Sequence, residues 1–139
     1  MDKIIIEGYT IDELNSLIGT ADFEELIFTE KPVVFNAGSA EILGQFSKER
    51  NELHVDLAHI EGGGEGILIA INSMAKKYAI EKDYDIINWY VHATNCAKPN
   101  PKLQRILRLR EFEITTIEGK GSVFYKRERV NNKTTANNT

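Results

Sequence analysis

The segment from Glu52 to Ala79, ELHVDLAHIEGGGEGILIAINSMAKKYA, constrains the chain most, because its apolar period changes across a run of glycines. Leu53, Val55 and Leu57 alternate with His54, Asp56 and Ala58, the two-residue period of a strand with one apolar face. Beyond the glycines, Ile67, Leu68, Ile71, Met74, Ala75, Tyr78 and Ala79 recur close to helical spacing, with Lys76, Lys77 and Lys82 on the polar side. The reading is a strand, a glycine turn and a helix packed back on a sheet.

The flanking segments extend this pattern. Upstream, KIIIEGY reads as a strand, TIDELNSLIG as a short helix with Thr10 as its N-cap, and PVVFNAG, AEILGQFS and ELHVDLAHI as strands. Lys48 to Asn51 is a polar turn that joins the last two as a hairpin. Downstream, DIINWYVHATN is rich in β-branched and aromatic residues, as a buried strand is. A helix then starts at Pro101 after Asn100, and GKGSVFYKRERV returns as a strand. The expected organisation is one domain over residues 1–130. The Asn- and Thr-rich tail, residues 131–139, has too little apolar surface to offset its ordering entropy and is expected to be disordered.

Charge and cysteine content narrow the function classes. Seventeen basic and 21 acidic residues give a net charge of −4, so no overall positive field draws the chain to nucleic acid or an anionic membrane. Apolar runs are too short to span a bilayer, and the one cysteine, Cys96, makes no internal disulfide. A cytoplasmic protein is expected. His54, His59 and His92 stand singly, without the paired spacing of a metal site.

A strand that ends in glycines and opens a helix presents backbone N–H groups and the positive end of a helix dipole, which together attract an anion. The same glycines also suit a connection that needs positive φ angles. Familiar phosphate loops do not fit: the Walker A interval from Gly62 ends on Ile67 and Leu68 in place of Lys and a hydroxyl. The dinucleotide fingerprint lacks its third glycine at Ile67.

The order of elements and the motif EGGGEG, Glu61 to Gly66, resemble the GNAT (Gcn5-related N-acetyltransferase) superfamily. There a central strand enters an R/Q-x-x-G-x-G/A loop that holds the pyrophosphate of acetyl-coenzyme A, with Gly64 and Gly66 as the glycines here. The resemblance covers roughly Val33 to Val130. It implies an α/β (α+β) fold with a mixed, mainly antiparallel sheet flanked by helices and splayed near Leu57 and Asn88 where the cofactor enters. It further implies that backbone groups of Ala58, His59 and Ile60 pair with the pantetheine arm, and that Glu61, Gly62, Gly63, Gly64, Glu65 and Gly66 form the pyrophosphate loop. Asn95 and Asn100 occupy the positions of cofactor-contacting asparagines. His54 and Asp56, on the non-apolar face of the strand, are the candidates for the base that deprotonates the acceptor. His59, His92 and Cys96 rank below them, and the arginines of LQRILRLREFE are read first as the solvated side of a helix.

The resemblance implies an acyl-CoA-dependent N-acetyltransferase. Its partners would be acetyl-CoA and the amine of a small molecule or protein, without nucleic acid or membrane, and a homodimer is compatible with it. Three positions depart from the family pattern: Glu61 stands for Arg or Gln, Glu111 for the Gly before Phe112, and Leu107 for a Tyr that protonates the departing thiolate. These departures suit a second reading, a catalytically degenerate GNAT-fold module for protein interaction or ligand sensing.

Overall fold

The computed structural model describes residues 4–29, 31–38, 40–61, 65–93 and 101–130, with the backbone alone at 59–61 and 65. Two short strands, β1 (Ile5–Ile6) and β2 (Tyr9–Thr10), turn back through Glu7 and Gly8, both at positive φ. Helices α1 (Ile11–Leu17) and α2 (Ala21–Ile27) follow, then strands β3 (Val33–Ala37), β4 (Ala40–Glu49) and β5 (Glu52–Glu61). Helix α3 (Glu65–Glu81), strand β6 (Ile86–Val91), helix α4 (Pro101–Leu109) and strands β7 (Glu113–Ile117) and β8 (Gly121–Arg129) complete the order.

Local chemistry explains the helix ends. Thr10 caps α1 in a capping box: its hydroxyl accepts from the Glu13 N–H at 3.1 Å, and its own N–H donates to Glu13 Oε1 at 2.9 Å. Thr20 caps α2 in the same way, accepting from the Phe23 N–H at 3.3 Å. Sequence periodicity does not reveal α2, because seven residues give too few turns to establish a period. Helix α4 begins at Pro101 as expected. It ends with the Phe112 N–H on the Leu107 carbonyl (2.9 Å) and the Glu111 N–H on that of Arg108 (3.0 Å), the paired bonds of a Schellman motif.

Among the described residues eight strands form one sheet in the order β2-β1-β3-β4-β5-β6-β8-β7. Every neighbouring pair is antiparallel except β5 and β6, which helix α3 connects. This is the mixed, mainly antiparallel α/β sheet that the GNAT-like reading expects. The β4–β5 hairpin turns at Arg50 and Asn51, with Glu49 opposite Glu52, within the polar turn expected there.

The core lies on one face. Leu53, Val55 and Leu57 of β5, Ile87, Trp89 and Val91 of β6 and Phe124 of β8 join one buried cluster with Leu14 of α1, Phe23 and Ile27 of α2, Ile71, Met74 and Tyr78 of α3, and Leu103 and Leu107 of α4. All four helices of the described residues therefore feed the same layer. Burying a side chain of this size contributes about 1.5–3 kcal/mol. Gly44 of β4 leaves room for it, since a Cβ there would stand 2.9 Å from Phe35 Cε1. The buried side chains outside the cluster, Ile86, Asn88, Tyr90 and Val123, all come from strands β6 and β8 and lie on the opposite face. No helix among the described residues is long and apolar enough to cross a membrane.

Candidate functional site

Two features of the central strands meet at one place. The first is a splay. Strands β5 and β6 are paired from Glu52 opposite Ile86 to Leu57 opposite Val91, and the His92 N–H still donates to the Leu57 carbonyl at 2.8 Å. From Ala58 to Glu61, β5 continues without β6 as a partner and pairs with β4 alone, where the register shifts between Glu41 and Leu43. The extra β5 residue in that interval is a β-bulge, which bends the strand away from its neighbour. The expected opening at Asn88 is corrected: Asn88 lies opposite His54 inside the paired region, and the strands part only past Leu57 and Val91.

The second feature is a polar network on the face opposite the helices of the described residues. Alternation puts Glu52, His54 and Asp56 of β5 on that face, beside Asn88 and Tyr90 of β6 and Tyr125 and Arg127 of β8. Both Asp56 oxygens accept from Lys120 Nζ, at 2.8 and 2.9 Å, and Oδ1 lies 3.2 Å from His92 Nε2. His54 Nδ1 and the Tyr90 hydroxyl are 2.9 Å apart, and the two rings stack with centroids separated by 5.9 Å.

At the far end Arg127 holds both oxygens of Glu52, at 2.9 and 3.2 Å, and Asn88 Nδ2 donates to Glu52 Oε1 at 2.7 Å. Tyr125 donates to Asn88 Oδ1 at 2.6 Å. Asn88, at 2 % exposure, is thus a fully buried polar side chain bonded to Glu52 and Tyr125 on this face.

The network sets protonation states. Burial, reinforced by Tyr125 and Asp56, pushes the Tyr90 phenol up to about 12, so it keeps its proton at neutral pH. It can then donate to His54 Nδ1, which leaves Nε2 as the ring N–H, 3.9 Å from Glu49. Hydrogen bonds from Asn88 and Arg127 hold the Glu52 carboxyl below its ordinary value.

The expected catalytic residues thus share one face but not one role. His54 is engaged by Tyr90, and Asp56 by Lys120 and His92. His92, ranked low from sequence, is brought to Asp56 at the mouth of the splay. The signal for it was its parity with Asn88 and Tyr90 along one strand. Lys120 gave no comparable signal, since 64 residues separate it from Asp56. Leu107, which stands for the thiolate-protonating Tyr of the family pattern, is a fully buried residue of α4.

Of the expected cofactor residues, Ala58, His59, Ile60 and Glu61 form the free-running end of β5, while Glu65 and Gly66 open α3. Gly66 is exposed, and a Cβ added there would meet nothing within 4 Å. Gly62, Gly63, Gly64, Asn95, Cys96, Asn100 and the tail lie outside the described residues. Among the described residues no group of three or more His, Cys, Asp or Glu side chains is placed to hold a metal ion.

The fold and site define an α/β domain with a splayed sheet and a polar open face. No family model matches the chain, and no curated protein matches it. Among solved structures it is similar to a proposed N-acetyltransferase from Lactobacillus plantarum, at TM-score 0.40 and 12% identity, covering 92% of this chain and 97% of that one. It is similar too to the PaiA N-acetyltransferase from Thermoplasma acidophilum in complex with coenzyme A, at TM-score 0.40 and 15% identity over 90% and 99% of the two chains. Ard1 from Thermoplasma volcanium follows at TM-score 0.39 and 11% identity over 92% and 98%. At these scores and identities no residue role passes from those proteins to this chain, and the GNAT-like fold rests on the topology above.

Proposed function

We propose that this protein transfers an acetyl group from acetyl-coenzyme A to an amine of a small molecule or protein. The observation that carries this reading is the splay, in which the bulged end of β5 runs unpaired by β6 and the 17-residue helix α3 is the next element of the chain. An extended ligand with amide groups can add to such a strand edge by backbone hydrogen bonds, and phosphates favour the positive end of the adjoining helix. The open space over Gly66 suits close approach of a pyrophosphate. Acetyl-coenzyme A, when bound, supplies an activated acyl group and a good leaving group.

The chain's own residues then handle the amine. His92 stands at the mouth of the splay with Asp56 at 3.2 Å, so the carboxylate orients the imidazole. We assign His92 as the base that takes the acceptor proton and Asp56 as its orienting partner. His54, held by the Tyr90 hydroxyl, lines the same face as a positioning residue. A cytoplasmic location belongs to this reading, because one cysteine leaves no internal disulfide to maintain.

Thermal unfolding with and without acetyl-CoA tests the proposal. At about a hundred times its dissociation constant the ligand should stabilise the fold by ~2.7 kcal/mol, and thiol should be released when an amine acceptor is added. Gly66→Ala should leave the unliganded stability unchanged or slightly higher and weaken the shift with acetyl-CoA. No shift with acetyl-CoA or coenzyme A overturns the reading. A second reading, a GNAT-fold ligand sensor without transfer, is favoured by one observation: Lys120 occupies both oxygens of Asp56. A shift with coenzyme A but no thiol release across an amine panel would select it.

A further inference from the structure

Lys120 lies in the turn between β7 and β8, flanked by Gly119 and Gly121 at φ 85° and 79°, with its N–H on the Ile117 carbonyl at 2.9 Å. Its side chain runs back over the sheet. The ammonium sits 4.6 Å from the centroid of the Tyr90 ring and donates to Asp56 Oδ1 and Oδ2 at 2.8 and 2.9 Å. His92 Nε2 faces the same carboxylate from the next strand.

A carboxylate and the face of an electron-rich ring converge here on one point that an ammonium already occupies, and the imidazole of His92 flanks the same carboxylate. The carboxylate supplies charge and two acceptors, and the ring adds a cation–π attraction. Two N–H groups of the ammonium are used on Asp56, so a primary amine keeps both hydrogen bonds that a quaternary ammonium, which has no N–H, cannot make.

We propose that the pocket of Asp56, Tyr90 and His92 is a binding site for a primary alkylammonium, and that Lys120 is its internal occupant. An incoming ammonium takes the place of the Lys120 Nζ, and the tethered lysine competes with it at an effective concentration in the millimolar range. Calling that ligand the acetyl acceptor rests on the transferase reading above. The pocket's preference for an alkylammonium does not.

The test uses n-butylammonium, the shape of a lysine side chain, with no coenzyme present. Binding is followed by the His92 and Tyr90 ring resonances in the wild type, Lys120→Met and the double variant Lys120→Met with Asp56→Asn. Lys120→Met should bind n-butylammonium about tenfold more tightly than the wild type, because the internal competitor is gone. Tetramethylammonium should compete more weakly than n-butylammonium, butyrate should not compete, and Asp56→Asn should abolish the gain.

Equal affinity in the wild type and Lys120→Met, or undiminished binding in the double variant, overturns the proposal. Lys120→Gln, which keeps a polar group in the turn, provides the same comparison should the Met variant fold poorly. The two readings fail separately: n-butylammonium binding without any thiol release from acetyl-CoA overturns the transferase and leaves the pocket. Absence of n-butylammonium binding overturns the pocket and leaves the transferase open to another acceptor.

Discussion

The two faces of strand β5 are built from alternate residues of one decapeptide and do opposite things. Leu53, Val55 and Leu57 disappear beneath the helices, each at 1 % exposure or less. Glu52, His54 and Asp56 meet polar side chains of Asn88, Tyr90, His92, Lys120 and Arg127. One face holds the sheet to its helices by apolar burial, and the other arranges charges and hydrogen bonds at a half-open surface. Stability and function are therefore interleaved at a spacing of one residue, and neighbouring substitutions should separate them.

The sharpest separation is expected between Leu57 and Asp56. Leu57→Ala removes a fully buried side chain and should cost about 2–5 kcal/mol in urea unfolding. Asp56→Asn breaks a partly exposed ion pair with Lys120, a loss of about 0–1 kcal/mol, yet should lower amine-dependent thiol release by about 10²–10⁴-fold if His92 needs the carboxylate. Equal destabilisation by the two would mean that the polar face is structural after all.

The apolar face was the more legible one in the sequence. Its residues announce themselves by period: two along β5, close to 3.6 along α3, with Thr10 and Pro101 marking helix starts. The elements that escaped lack such a period. Helix α2 is one cap and seven residues, and β7 is an edge strand of Glu, Thr and Ile whose positions are mostly exposed.

The polar face was half legible. Alternation picked out His54 and Asp56, because it needs only one strand. Their partners depend on register between strands that share no hairpin, which a linear pattern does not specify. Hence His92 ranks below His54 and Asp56 in the sequence, Lys120 carries no signal there, and the strands part three residues later on β6 than Asn88. The glycine run itself, Gly62 to Gly64, lies outside the described residues, so its pyrophosphate role stands as a proposal.

A smaller effect concerns the way α4 returns the chain to the sheet. Glu111 adopts φ 71°, the left-handed position of a Schellman motif that glycine occupies without strain. Its presence keeps the motif's bonds while storing backbone strain. Glu111→Gly should raise stability by ~1 kcal/mol, seen as a rise of a few degrees in Tm, with acetyl-CoA binding unchanged. A fall in stability would show that the Glu111 side chain contributes more than its backbone costs.

The smallest expected effect probes the far end of the polar face. Asn88 and Arg127 hold Glu52 below its ordinary value of 4.5, so its carboxylate favours the folded state wherever the unfolded chain would also be ionised. The contribution is complete at neutral pH and is lost as pH falls through the lowered folded-state value, since below it both states are protonated. Glu52→Gln should accordingly be less stable than the wild type at pH 7, and the gap between their Tm values should narrow below pH 4.5 and close at lower pH. A gap that stays constant down to pH 3 would assign the difference to hydrogen bonding by Asn88 rather than to charge, and would remove Arg127 from the electrostatics of this face.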